Sequence, residues 1–156
     1  IMKDLVLDEV EQRQRVIPIK VVSAGTHAVH GSLASHYASE IAERHGINLN
    51  FHRSKPITES IVRNADLILT MERNHTDLIK SNWPFCTNVF ELKNFARDNS
   101  EYPVNTDILD PIGMDIDVYS NVFNELQTEI NRIAQLVFSM AEKKMGTDSS
   151  LSCLNE

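Results

Sequence analysis

The sequence predicts an α/β fold, an open parallel sheet with helices on both faces. Short β-branched runs alternate with segments whose apolar residues recur at helical spacing, which is typical of this class. Three runs predict buried strands, at residues 19–24, 66–70 and 88–92. Because ligands of open parallel sheets bind at the carboxyl ends of the strands, we expect the functional residues in the loops that follow Ser23 and Thr70.

Helical periodicity predicts the elements between and around the strands. Gly46 is expected to end the helix at residues 33–45, and Gly146 the longest helix, which begins at Ile116. We therefore predict one domain at residues 1–145 and a disordered polar tail at residues 146–156. The predicted helices are residues 1–10, 33–45, 58–64, 73–80 and 116–144.

The start of the chain predicts a missing piece. The first helix begins on Ile1 with no capping residue, and three strands make a thin parallel sheet. We therefore expect a fourth strand before Ile1.

Composition narrows the function classes. The chain has 156 residues and a net charge of −7, which argues against a nucleic-acid surface built of clustered Lys and Arg. No run approaches the roughly 18 apolar residues of a membrane span, and no signal peptide is visible. Two cysteines, Cys86 and Cys153, fit a reducing compartment. We predict a cytoplasmic protein, a monomer or weak dimer, with no membrane partner.

The acidic loop TDILDPIGMDIDVY, residues 106–119, holds the main candidate for chemistry. Asp115 and Asp117 suit the positive end of the helix that follows. In Asp110-Pro111, proline fixes its own φ and pushes the preceding residue toward extended geometry, so the Asp110 carboxylate is held on a stiff turn. From the residues alone, Asp110 is either structural or a general acid.

No metal or cofactor site is predicted. Glu72 and His75 share one helical face, but two ligands are too few for a metal site. His27, His30 and His36 are not predicted to be ligands either, because no Cys or carboxylate cluster accompanies them.

Four blocks in register resemble the low-molecular-weight protein tyrosine phosphatases. They are SAGTHAVHG (residues 23–31), HGINLNFHRSKPIT (45–58), ADLILTMERNHTDLI (65–79) and DILDPIGMDIDVY (107–119). The resemblance implies a four-stranded parallel sheet and a phosphate loop, C-x-x-x-x-x-R-S, between the first strand and the first helix. In that chemistry a thiolate attacks phosphorus while Arg and backbone N–H groups hold the phosphoryl oxygens.

The resemblance also implies roles for three residues. Asp110 is the general acid that protonates the leaving group, an effect worth about 10²–10⁴ in rate. Ser23 and His52 support the phosphate loop through a hydrogen-bond network. For Ser23, a turn-forming role before Gly25 is the alternative that the sequence leaves open.

The sequence departs from the family at the phosphate loop. No C-x-x-x-x-x-R is present, because Leu92 stands six positions after Cys86, and three residues follow Cys153. We expect the loop, with the fourth strand, before Ile1, and these 156 residues to be inactive by themselves. The alternative is a catalytically dead phosphatase-like binding module.

The expected substrate is a phosphorylated protein, carrying phosphotyrosine or phosphoarginine. Tyrosine-specific members of the family usually have an aromatic residue after Asp-Pro, whereas this chain has Ile112. The loop looks closer to the bacterial protein-arginine phosphatase branch. Arsenate reductases of the same fold are disfavoured, because they need two further cysteines close to Met71 and residues 71–80 contain none.

Overall fold

A computed structural model describes residues 19–98 and 106–152 of the protein, with side chains as far as residue 145. The chain divides into two compact units, residues 23–129 and residues 1–22 with 130–156. The elements are α1 (His36–Arg44), α2 (Glu59–Arg63), β1 (Ile68–Thr70), α3 (Arg73–Asn82), β2 (Val89–Glu91) and α4 (Ile116–Ser152).

The sheet of the larger unit is parallel, as predicted. β1 pairs with β2 in a register that places Ile68 opposite Val89 and Thr70 opposite Glu91. Helix α3 makes the crossover between them, as parallel strands require. Apolar side chains below the sheet form one buried cluster, Val62, Ile79, Cys86 and Val89, with Ile57, Ile68 and Trp83 packed against it.

The prediction of a strand at residues 19–24 is wrong. These residues belong to no ladder, and an isolated parallel bridge between Gly25 and Pro56 follows them. An apolar β-branched run becomes a strand only where a neighbouring strand pairs with its backbone groups. The described residues therefore hold two strands instead of three. The helix predicted at residues 1–10 lies outside them.

Capping residues set the ends of the short helices. Ser35 caps α1 by accepting a hydrogen bond from the Ala38 N–H, and Gly46 follows the helix with a φ of +75°. Thr58 caps α2 by accepting from the Ile61 N–H. Both helices were predicted, although α1 begins at His36 and not at Leu33, because the polar Ser35 side chain provides the cap.

Helix α4 is longer than predicted. It continues to Ser152, so the predicted end at Gly146 is wrong. A single interior glycine costs roughly 1 kcal/mol relative to alanine, which a helix of this length tolerates. In the smaller unit its buried residues Ala134 and Phe138 pack against Ile19 and Val21.

Two buried polar contacts join elements of the larger unit. The hydroxyls of Thr70 on β1 and Thr76 on α3 lie 2.6 Å apart. Arg97, in the turn after β2, donates to Glu129 on α4 at 2.8 Å. Each contact satisfies a polar group that would otherwise be costly to bury.

Candidate active site

The loop that carries Asp110 is tied to the carboxyl end of β1. The Ile108 N–H donates to the Met71 carbonyl at 2.8 Å, and the Ile108 side chain is buried. The carboxylate of Asp107 accepts from the Arg73 N–H at 2.8 Å, at the start of α3. Because an unpaired N–H at a helix N-terminus favours an anion, Asp107 supplies a cap that α3 lacks from its own Glu72.

A second attachment joins the same loop to the carboxyl end of β2. Lys93, two residues beyond Glu91, donates from Nζ to the Asp107 carbonyl at 2.9 Å. The same ammonium forms an ion pair with Glu125 on α4. The loop therefore lies at the end of the sheet where ligands bind in parallel sheets.

Asp110 projects from a tight turn on this loop. Its Oδ1 accepts from the Ile112 N–H at 3.1 Å, and the Met114 N–H closes the turn onto the Pro111 carbonyl at 3.0 Å. Gly113 has a φ of +80°, a conformation that side chains disfavour. Asp110 is exposed, and its Oδ2 accepts no hydrogen bond from the described residues. One carboxylate oxygen is thus anchored on a residue that is exposed as a whole.

The end of the loop is fixed by α4. Asp115 accepts from the Val118 N–H at 3.1 Å, and Asp117 lies in the first helical turn, so both have the N-terminal positions predicted for them. Tyr119 is buried, and its hydroxyl accepts from Ser35 at 3.1 Å. Both ends of the Asp110 loop are consequently attached to ordered elements.

A second pair of loops is held together by main-chain bonds. Gly25 N–H donates to Lys55 O and Ile57 N–H to Gly25 O, both at 3.0 Å; Gly31 N–H donates to Ser54 O at 2.8 Å and Ser54 N–H to Ser32 O at 2.9 Å. The sequence blocks that contain Ser23 and His52 are therefore adjacent. We call residues 25–33 with 50–57 the paired loops.

Ser23 and His52 themselves make few contacts. Both are exposed, and neither the Ser23 hydroxyl nor the His52 ring forms a hydrogen bond within the described ranges 19–98 and 106–152. No hydrogen bond joins either residue to Asp110 there. Their supporting role remains a prediction, since it concerns a phosphate loop outside these residues.

Cys86 lies at the wrong end of the sheet to serve Asp110. It precedes β2, whereas the Asp110 loop is attached to residues that follow β1 and β2. The thiol is buried and donates to Asn88 Oδ1 at 3.3 Å.

Within the described chain, no cluster of three or more potential ligands could hold a metal ion, and no helix is long and apolar enough to cross a membrane.

Two contacts around the loop, made by three residues, were missed from the sequence. Lys93, Asp107 and the Arg73 N–H form the attachments described above, and none was a candidate. Position offered one signal, because Lys93 directly follows a predicted strand on the side where ligands bind.

Comparison with known proteins identifies relatives of this chain. Residues 4–145 match the family model of the low molecular weight phosphotyrosine protein phosphatases. A protein-arginine-phosphatase of Bacillus subtilis is 34% identical over 119 residues, 75% of this chain and 75% of the relative.

Solved structures agree with the sequence comparisons. The YwlE arginine phosphatase from Geobacillus stearothermophilus superimposes with a TM-score of 0.74 at 30% identity, over 91% of this chain and 86% of the other. A low molecular weight protein tyrosine phosphatase from T. tengcongensis gives 0.73 at 26% identity, over 86% and 87%. The likeness covers the α/β fold and most of both chains.

Proposed function

The chain belongs to the low-molecular-weight phosphotyrosine protein phosphatase family, and from that premise we propose that it is part of an enzyme that removes phosphoryl groups from proteins, with Asp110 as the general acid. The observation that carries this proposal is the geometry of Asp110. Its loop is attached to the carboxyl ends of both strands, one carboxylate oxygen is held by the Ile112 N–H, and the residue is exposed. A general acid needs this combination of fixed position and access to the leaving group.

The reaction proceeds in two steps. A cysteine thiolate attacks phosphorus, the bond from phosphorus to the leaving oxygen or nitrogen breaks, and Asp110 gives its proton to the leaving group. Water then attacks the cysteinyl phosphate and gives a proton to the Asp110 carboxylate, which releases inorganic phosphate and restores the thiolate. No cofactor or metal enters either step.

The nucleophile is not among these 156 residues. They contain no C-x-x-x-x-x-R, and Cys86 is buried at the opposite end of the sheet. We assign the nucleophile to a family phosphate loop supplied by another segment, and expect the 156 residues alone to be inactive. Cytoplasmic location stays a prediction that rests on composition.

Phosphoarginine is the substrate that we favour. Ile112, directly after Asp110-Pro111, is 73% exposed and offers a small aliphatic surface where an aromatic wall would face a phenyl ring. The relatives named above include two arginine phosphatases. A positively charged guanidinium also suits a loop that carries several carboxylates.

A loop-fused protein tests the proposed activity. In it, a family first strand and C-x-x-x-x-x-R-S loop are joined ahead of Ile1. We expect it to release phosphate from phosphoarginine and phosphotyrosine peptides, while the 156-residue chain and a loop-fused Cys→Ser control release none. If the loop-fused protein folds, as judged by a cooperative melting transition, and binds phosphopeptides without turnover, the chain is a binding module and the proposal fails.

Replacing Ile112 tests the substrate preference. We expect Ile112→Tyr, in the loop-fused protein, to raise kcat/KM for phosphotyrosine relative to phosphoarginine peptides by about 2- to 12-fold, because an aromatic pair is worth roughly 0.5–1.5 kcal/mol. Leu109→Tyr, on the other side of Asp110, is the matched control. An unchanged ratio would remove Ile112 from substrate recognition.

A further inference from the structure

Lys93 contacts the chain on both sides of Asp110. Before it, Lys93 Nζ donates to the Asp107 carbonyl at 2.9 Å; after it, the same ammonium pairs with Glu125 on α4. The Lys93 side chain is only 14% exposed, in contrast to most lysines. A single ammonium therefore joins the beginning of the Asp110 loop to the helix that follows the loop.

Lys93 is itself attached to the sheet. The preceding residue, Leu92, is fully buried and donates its N–H to the Thr70 carbonyl at 2.9 Å. The Lys93 carbonyl accepts from Arg97 Nε at 2.5 Å, and Arg97 is held by Glu129. The position of the ammonium is therefore set by β1, β2 and α4 together.

We propose that Lys93 is a positioning residue that holds the Asp110 carboxylate at the leaving group without touching the substrate. This inference rests on the general-acid role proposed for Asp110. Asp107 is three residues before Asp110, so a shift at Asp107 carries directly to the acid. A displacement of about 1 Å in a catalytic group can cost about 10²-fold in rate.

Leaving-group dependence distinguishes positioning from general stability. A general acid matters most for a basic leaving group, such as phenolate or a guanidine, and least for an acidic one, such as p-nitrophenolate. We expect Lys93→Met in the loop-fused protein to lower kcat/KM about tenfold for phenyl phosphate and about twofold for p-nitrophenyl phosphate. Lys93→Arg should keep most of the kcat/KM that Lys93→Met loses. Lys80→Met, which replaces an exposed lysine on α3, should leave kcat/KM for both substrates unchanged.

If Lys93→Met does not fold, a second variant tests the same proposal. Glu125→Gln removes the charge of the partner but keeps its shape, and we expect a smaller loss with the same dependence on leaving group. Hydrogen exchange in the 156-residue chain gives a readout without catalysis. The Ile108 and Ile112 amides should exchange faster in Lys93→Met, with the Ile79 amide of α3 unchanged.

The outcomes separate the two proposals. In one outcome, the loss of kcat/KM in Asp110→Asn depends steeply on the leaving group, whereas Lys93→Met and Glu125→Gln lower kcat/KM by the same factor for every substrate. That result would overturn the positioning role of Lys93 and support Asp110 as the general acid. If Asp110→Asn also loses the same factor on every substrate, the general-acid role fails, and the positioning role fails with it.

Discussion

Asp110→Asn in the loop-fused protein should lower kcat/KM for phosphopeptides by about 10²–10⁴, the usual contribution of a general acid. The amide cannot give a proton to the leaving group, although its Oδ1 still accepts from the Ile112 N–H that anchors the side chain. The loop therefore keeps its shape while the proton is lost. The measurements are steady-state rates with phosphoarginine and phosphotyrosine peptides and the affinity for inorganic phosphate.

Asp117→Asn is the matched control for this substitution. It changes the same chemical group seven positions later, on the exposed first turn of α4, and should alter the rate less than twofold, since a charge at a helix N-terminus is worth roughly 0.3–1 kcal/mol of stability and takes no part in catalysis. Phosphate affinity should stay the same in both variants. A rate that survives Asp110→Asn would exclude Asp110 from the mechanism.

Arg97→Met should lower the free energy of unfolding of the 156-residue chain by about 3 kcal/mol, because it removes the guanidinium that donates to the largely buried Glu129 carboxylate. The side chains of Arg97 and Glu129 are 22% and 10% exposed, so water cannot replace the lost contact fully. The substitution also removes the bond from Arg97 Nε to the Lys93 carbonyl. Urea denaturation followed by circular dichroism measures the change.

The double variant Arg97→Met, Glu129→Met shows where the loss comes from. With both charges replaced by apolar side chains of similar length, we expect most of the lost stability to return, because a buried pair often contributes little beyond an apolar replacement. Arg63→Met, which removes an exposed pair with Glu59 and the contact of the guanidinium with the Phe85 ring, should cost about 1 kcal/mol. Equal losses in Arg97→Met and Arg63→Met would contradict the effect of burial.

Local signals predicted most of the described elements. The helix predicted from residue 58 begins at Glu59, with Thr58 as its cap, and Gly46 predicted the end of α1, because capping depends on one side chain and one backbone angle. The parallel pair β1 and β2 followed from two apolar runs around a helix. Residues 19–24 failed, because strand formation depends on a partner that the run itself does not specify.

The constrained turn that carries Asp110 could be predicted from the sequence, but the contacts that hold its loop could not. Asp110 stood out because Asp-Pro and a glycine two positions later constrain the backbone locally. Lys93 did not, since its contacts with Asp107 and Glu125 join residues 14 and 32 positions away, and nothing in a single lysine indicates such partners. The prediction that Gly146 ends α4 was wrong for the opposite reason. A glycine is a local signal for a helix end, but the long helix continues through it.

The paired loops have a consequence for how this protein diversifies. Four hydrogen bonds between peptide groups link them, and the Ser54 hydroxyl adds two more, donating to the Val29 carbonyl and accepting from the Ser32 N–H. The exposed large apolar side chains on them, Val29, Leu33 and Phe51, all project into solvent. The backbone conformation of the paired loops therefore does not depend on these three exposed side chains. Substitutions at those three positions change the exposed surface of the paired loops at little cost in stability. These loops are therefore a natural place for relatives to diverge and for libraries to be built.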